Sequence, residues 1–146
     1  MAVDTEKVGQ SYDPAEFEVD AERIRKYADA VGEDNPVYRD ADAAREAGFR
    51  DVVAPPMFAV VYSAPAMGPA IFDVIGMDQL PRMVHGGQEF VWGEPVCAGD
   101  VITTQAEVKE IYDKDGKAFY VFESVSRNQD GQEVVRAKWT NIVRGG

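Results

Sequence analysis

Cysteine and histidine are nearly absent: the 146-residue chain has one of each, Cys97 and His85. A single cysteine excludes an internal disulfide and suits a reducing cytoplasm. One Cys and one His do not make a metal site, so no metal is expected. Basic residues are also scarce, with 15 Lys and Arg against 26 Asp and Glu and a net charge of −11. Without a basic stripe to neutralise phosphates, a nucleic-acid partner is excluded. Arg23, Arg25 and Lys26, and again Arg45 and Arg50, are the basic clusters that an acidic carrier protein would need; both read as solvated helix faces. The chain opens without a charged-then-apolar leader, and no apolar run is read as long enough to cross a bilayer. The expectation is one soluble cytoplasmic domain over residues 1–146, with no membrane partner. Cys97, beside Pro95-Val96, reads as a small buried hydrophobe.

What is present divides into a helical first half and a strand-rich second half. Asp20 is a plausible N-cap, and Ile24, Tyr27, Ala28 and Val31 make one apolar stripe that ends at Gly32. Asp40 or Asp42 caps a second short helix, Ala41 to Ala47, closed by Gly48. From Ala54 to Met67 the residues are apolar on nearly every side, the pattern of a helix buried all round. Pro65 and Pro69 are expected to kink or end it, leaving residues 68–81 irregular. Strand signals follow at Phe90 to Trp92, Val101 to Ile111, Phe119 to Ser126 and Val134 to Val143. Asp115-Gly116 and Asp130-Gly131 are the strongest hairpin turns. Gly86-Gly87 lacks the strand–loop–helix context of a nucleotide-binding loop, and no cofactor is expected.

Long antiparallel strands need one face covered, and the apolar helix is the element suited to cover it. The expected fold is therefore α+β, a hotdog: an antiparallel sheet wrapped around a central helix. Met57, Phe58, Val60, Val61 and Tyr62 are expected to be buried inside the curl.

The turn Gly32-Glu33-Asp34-Asn35-Pro36-Val37-Tyr38 resembles the hydratase motif of MaoC-like (R)-specific enoyl hydratases and 3-hydroxyacyl dehydratases. Three further pieces stand in that family's order: Ala43 to Phe49, Val53 to Phe58, and Pro95-Val96-Cys97-Ala98-Gly99-Asp100. Together the pieces look closest to the subfamily with an N-terminal MaoC dehydratase domain, which includes subunits of heteromeric 3-hydroxyacyl-carrier dehydratases. The resemblance implies the same hotdog fold, and the site residues it implies can be placed one by one.

Loss or addition of water beside a thioester needs a base, an acid and a donor for an enolate-like oxygen. In the catalytic members an Asp and a His share the first two tasks, and a backbone N–H at the start of the central helix serves the third. Here Glu33 stands at the Asp position, Tyr38 at the His position and Pro56 at the helix-start Gly. Tyrosine ionises only near pH ~10, so Tyr38 is a donor and a poor base. Proline has no N–H to offer. Glu33 and Tyr38 are thus the catalytic candidates, with Asn35, Pro56 and Met57 as candidates for lining an acyl-thioester cleft. The competing reading makes Glu33 part of a solvated turn, and Asn35-Pro36 a good turn whatever the function.

His85 lies in Val84-His85-Gly86-Gly87-Gln88, which resembles a His-Gly-x-Gln element of the same subfamily. It is the third catalytic candidate, as an acid or base; the alternative is a ring holding backbone carbonyls at a strand start. The resulting expectation is a subunit of a (3R)-hydroxyacyl-thioester dehydratase or enoyl hydratase acting on coenzyme A or carrier-protein esters. Its own Asp/His site is altered, so it pairs as a homodimer or with a MaoC-like chain bearing the intact pair. A non-catalytic acyl-binding homodimer and a hotdog thioesterase are the alternatives.

Overall fold

The computed structural model describes residues 3–145. Helix α1 (Ala21–Val31) begins where the Asp20 carboxylate accepts the Arg23 N–H at 2.7 Å, and ends on Gly32 in the left-handed region at φ 75°. Its buried residues, Ile24 and Ala28, come from the apolar stripe. A 3-10 turn (Pro36–Tyr38) and the short helix α2 (Ala41–Glu46) follow, the latter capped by Asp40. A second 3-10 turn (Pro56–Phe58) leads into the central helix α3 (Ala59–Ile75).

Helix α3 differs from expectation in three ways. It runs through Pro65 and Pro69 rather than stopping at either. Both prolines sit on the exposed face, where water can serve the carbonyls of Val61 and Pro65 that lose their donors. Second, α3 is not buried all round: Ala59, Tyr62, Ser63, Ala66, Met67 and Ala70 face inward, whereas Ala64, Pro65, Pro69 and Phe72 face out. Of the five residues expected inside the curl, Phe58 and Tyr62 are buried, Val60 and Val61 are half-buried and Met57 is exposed. Third, Pro56–Ile75 is a 20-residue helical segment of mean hydropathy 1.5, long and apolar enough by length and composition to cross a membrane. The sequence reading missed this because it divided the segment at its prolines. Here its inward face packs into the two apolar clusters beneath the sheet.

The sheet has five antiparallel strands: β1 (Ala15–Glu18), β2 (Met83–Trp92), β3 (Val101–Lys114), β4 (Lys117–Arg127) and β5 (Glu133–Val143), ordered β1-β3-β4-β5-β2. Strand β1 was not expected from the sequence, and β2 begins seven residues before its Phe90–Trp92 signal. Asp115 and Gly116, both at positive φ (52° and 74°), close the β3–β4 hairpin as Lys114 pairs with Lys117. In β3 the inward residues Ile102, Thr104, Ala106 and Val108 alternate as expected. A bulge between Val108 and Glu110 then changes the face, so Ile111 is buried and Glu110 exposed. This wrapping of a five-stranded antiparallel sheet around α3 is the hotdog fold.

Candidate functional site

The turn after α1 is tied down at both ends. The Glu33 N–H donates to Ala28 O at 2.8 Å, and the Glu33 carbonyl accepts from Arg39 Nε and Nη2 at 3.1 and 2.6 Å. Arg39 also meets Asp29 at 2.6 Å, so one guanidinium staples the turn to the helix before it. The Asn35 side chain accepts the Val37 N–H at 3.2 Å, and Val53 N–H donates to Val37 O at 2.9 Å. This second tie presses the turn onto residues 52–54 and carries Tyr38 inward, where it is half-buried against the core.

Tyr38 there lines a cavity of about 280 Å³. The walls come from two chain segments besides: Val53 to Pro56 leading into α3, and Trp92 to Val96 leaving β2. Phe49, Tyr62 and Val134 complete it, so the lining is mostly apolar, with Tyr38, Tyr62 and Glu94 as its polar side chains. Burial pushes the Tyr62 phenol well above the usual tyrosine range, which keeps it protonated. Gly93 N–H donates to Val134 O at 2.9 Å, and a Cβ on Gly93 would stand 2.1 Å from Glu133 O. Because that obstacle is backbone, a Gly93→Ala protein is expected to lose about 1–3 kcal/mol. An unchanged urea midpoint would contradict that.

A buried carboxylate holds these segments together. Asp100 is fully buried; both its oxygens accept from Arg50 Nη2 at 2.9 Å, and Gln129 Nε2 and the Cys97 N–H donate to it at the same distance. Burial by itself drives this carboxyl up, but the bonds from Arg50, Cys97 N–H and Gln129 outweigh it and leave it below the usual range. Around it Ala54 N–H donates to Val96 O and Ala98 N–H to Val52 O, each at 2.8 Å. These bonds zip the two wall segments together. The Pro-Val-x-x-Gly-Asp run thus has a structural job: Gly99 turns at φ 96° and Asp100 anchors the wall. Cys97 is buried beside it, and burial raises its thiol.

The sequence candidates separate on this frame. Tyr38 and Pro56 line the cavity; Glu33, Asn35, Met57 and His85 do not. Glu33 is exposed, and Asn35 is engaged in capping the 3-10 turn. Met57 is exposed just outside. His85 is exposed on β2, its ring edge-on to Trp139 at 6.1 Å, and holds no backbone carbonyl among the described residues. Tyr62, Trp92 and Glu94 were not foreseen. Tyr62 looked like plain helix core, and nothing local placed the end of β2 against the start of α3. Among the described residues no three His, Cys, Asp or Glu gather as metal ligands. Chemically the cavity offers an apolar sleeve and hydroxyl groups, without a paired carboxylate and imidazole.

Residues 6–137 match the family described as FAS1-like, dehydratase domain region. The UPF0336 protein of Thermobifida fusca is 37% identical over 99% of this chain and 96% of its own. A UPF0336 protein of Streptomyces coelicolor is 41% identical over 98% of this chain and 95% of its own. Among solved structures, a chain of the HadBC (3R-hydroxyacyl-ACP dehydratase) complex from Mycobacterium tuberculosis superposes with a TM-score of 0.81. It is 27% identical, with 94% of this chain and 98% of that one covered. The R-hydratase PhaJ1 from Pseudomonas aeruginosa shares the fold at a TM-score of 0.73 and 24% identity, over 95% of this chain and 83% of that one.

Proposed function

Since the chain belongs to the FAS1-like dehydratase-region family, within the MaoC-like hotdog dehydratases and hydratases, we propose that it is the non-catalytic subunit of a heteromeric (3R)-hydroxyacyl-thioester dehydratase or enoyl hydratase. It works on coenzyme A or carrier-protein esters and builds part of the acyl cleft. The partner is a MaoC-like chain that bears the Asp/His pair. The observation that carries this reading is the cavity itself. Tyr38 and Pro56, the residues that the family resemblance sets at the His and helix-start Gly positions, both line it, and Glu33 lies outside. A cleft of this kind can hold an acyl group, and among the described residues its lining carries one carboxylate, Glu94, with no imidazole to share the acid-base work. A thioesterase reading is weaker, because the groups it would need to position water, Glu33 and His85, are both outside the cavity.

The free edge of β2 supports pairing. Among the described residues β2 pairs along one side with β5, and its ten residues end in exposed Val91 and Trp92. A long unpaired edge with apolar side chains invites a second strand. The heteromeric assembly named for the HadBC complex is the precedent for such a partner.

The isolated chain is expected to hydrate crotonyl thioesters feebly or not at all. Co-expression with a His-bearing MaoC-like chain should yield a heterodimer that turns them over. The measurement is the steady-state rate of each preparation, with light scattering for its mass. Rapid turnover by the lone chain, lost in Tyr38→Phe, would overturn the reading.

A further inference from the structure

The cavity contains a polar group that the architecture does not need. Tyr62 is 3% exposed, yet its hydroxyl has no hydrogen-bond partner among the described residues. Buried phenols normally find a partner, since a hydroxyl sealed among apolar groups loses its water for nothing. The Tyr62 oxygen is not among the buried atoms left stranded inside the protein, and the residue lines the cavity. The ring is held from behind: it packs edge-on to Phe58 at 6.2 Å, on the first turns of α3. A rigid aromatic on a helix presents its hydroxyl in one direction, and that is how a recognition group is built rather than a solvated surface tyrosine.

The surroundings define what the hydroxyl can meet. Val53, Ala54, Val96 and Val134 give the cavity apolar walls suited to an aliphatic group. Among the described residues no cation lines it and the Glu94 carboxylate does, so a carboxylate or phosphate would enter without a counter-charge and beside a like charge. The Tyr62 phenol stays protonated, and no charged residue contributes to its shift. A neutral oxygen is the group that fits: a carbonyl can accept from the phenol, and an alcohol can either donate to it or accept from it. Tyr38, which lines the same cavity and likewise makes no side-chain hydrogen bond among the described residues, is a second hydroxyl of this type.

We propose that Tyr62 is a specificity-determining residue, whose hydroxyl reads a neutral oxygen on an otherwise aliphatic acyl chain in this cavity. The chain is thereby selective for oxygenated acyl thioesters over plain saturated ones. This rests on the acyl-thioester reading above and adds the group that is recognised and the residue that recognises it. Two positions on such a ligand offer a neutral oxygen, the alcohol or ketone at carbon 3 and the thioester carbonyl itself. A site that hydrogen-bonds an oxygen discriminates against the analogue lacking it, because the protein's own polar group is then left unpaired.

The test uses the whole protein, alone and in complex with its partner, and reads the emission of Trp92 in the cavity wall. The ligands are (3R)-3-hydroxybutyryl-, 3-oxobutyryl- and butyryl-pantetheine. The proposal expects one or both oxygenated esters to bind about tenfold more tightly than butyryl, a ratio set by one net hydrogen bond. In Tyr62→Phe that ratio should fall to about one, with an unchanged melting temperature showing that the fold is intact. If the thioester carbonyl were the atom read, the wild type would bind all three equally and Tyr62→Phe would weaken all three; that pattern overturns selectivity at carbon 3. A preference that survives in Tyr62→Phe overturns the role of Tyr62 while leaving the acyl-thioester reading standing. Binding of none of the three, alone or in complex, overturns both.

Discussion

A Phe58→Ala protein is expected to lose about 3–5 kcal/mol of stability, on the order of 10 °C in melting temperature for a chain of this size. Phe58 is 1% exposed and is the meeting point of three elements. Its ring is edge-on to Phe17 of β1 at 6.0 Å, to Tyr27 of α1 at 5.4 Å and to Tyr62 of α3 at 6.2 Å. Truncation removes the buried area and leaves a cavity that three aromatic rings, each fixed to a different element, cannot collapse into. Chemical denaturation of the two proteins measures it. A loss under 1 kcal/mol would mean that α1 and β1 are not docked on α3 through this residue. The neighbouring Met57, 48% exposed, provides the contrast: Met57→Ala should change the monomer's stability little.

The second large effect is expected at Asp100. Replacing it with Ala strands the buried Cys97 N–H, whereas Arg50, 58% exposed at its side chain, and the exposed Gln129 can turn to water. The loss should be about 2–4 kcal/mol at neutral pH. Its pH dependence has a definite sign. The folded carboxyl titrates below its unfolded value of about 3.9, so its contribution is fully present above that pH and disappears as pH falls through the lower, folded value. Wild-type protein should therefore lose stability in acid below about pH 4, and Asp100→Asn should show a shallower acid decline from a lower plateau. Parallel urea titrations from neutral pH down into that window would check it. Coincident curves for the two proteins would show that Asp100 is not the anchor of the wall.

How much of this was legible in the sequence depends on the range over which each feature is encoded. The start and end of α1 were legible because Asp20 and Gly32 act within one turn of the backbone. The β3–β4 hairpin was legible because Asp115 and Gly116 carry their own positive φ. Strand β1 was not, because four residues have no periodicity to speak of and their partner lies far along the chain. The Val108/Glu110 bulge was invisible for a related reason: alternation read from residue 101 predicts the wrong face once one residue is inserted in the ladder. Pro65 and Pro69 misled, since propensity alone does not say that both fall on an outward face. Family resemblance singled out Tyr38 and Pro56, both of which line the cavity, along with Glu33, Asn35, Met57 and His85, which do not. Tyr62 and Trp92 join it through packing between α3 and the end of β2, which no local pattern expresses.

The sheet order bears on how this chain comes off the ribosome. Strand β1 pairs with β3, Ala15 meeting Thr104, so the first strand made waits for a partner roughly ninety residues later. At ordinary translation rates that wait is about 4–18 s, far longer than the microseconds in which a hairpin closes. During that time β1 is an unpaired edge beside the growing chain. Its brevity and the two glutamates at its exposed positions, Glu16 and Glu18, make it a poor template for anything else.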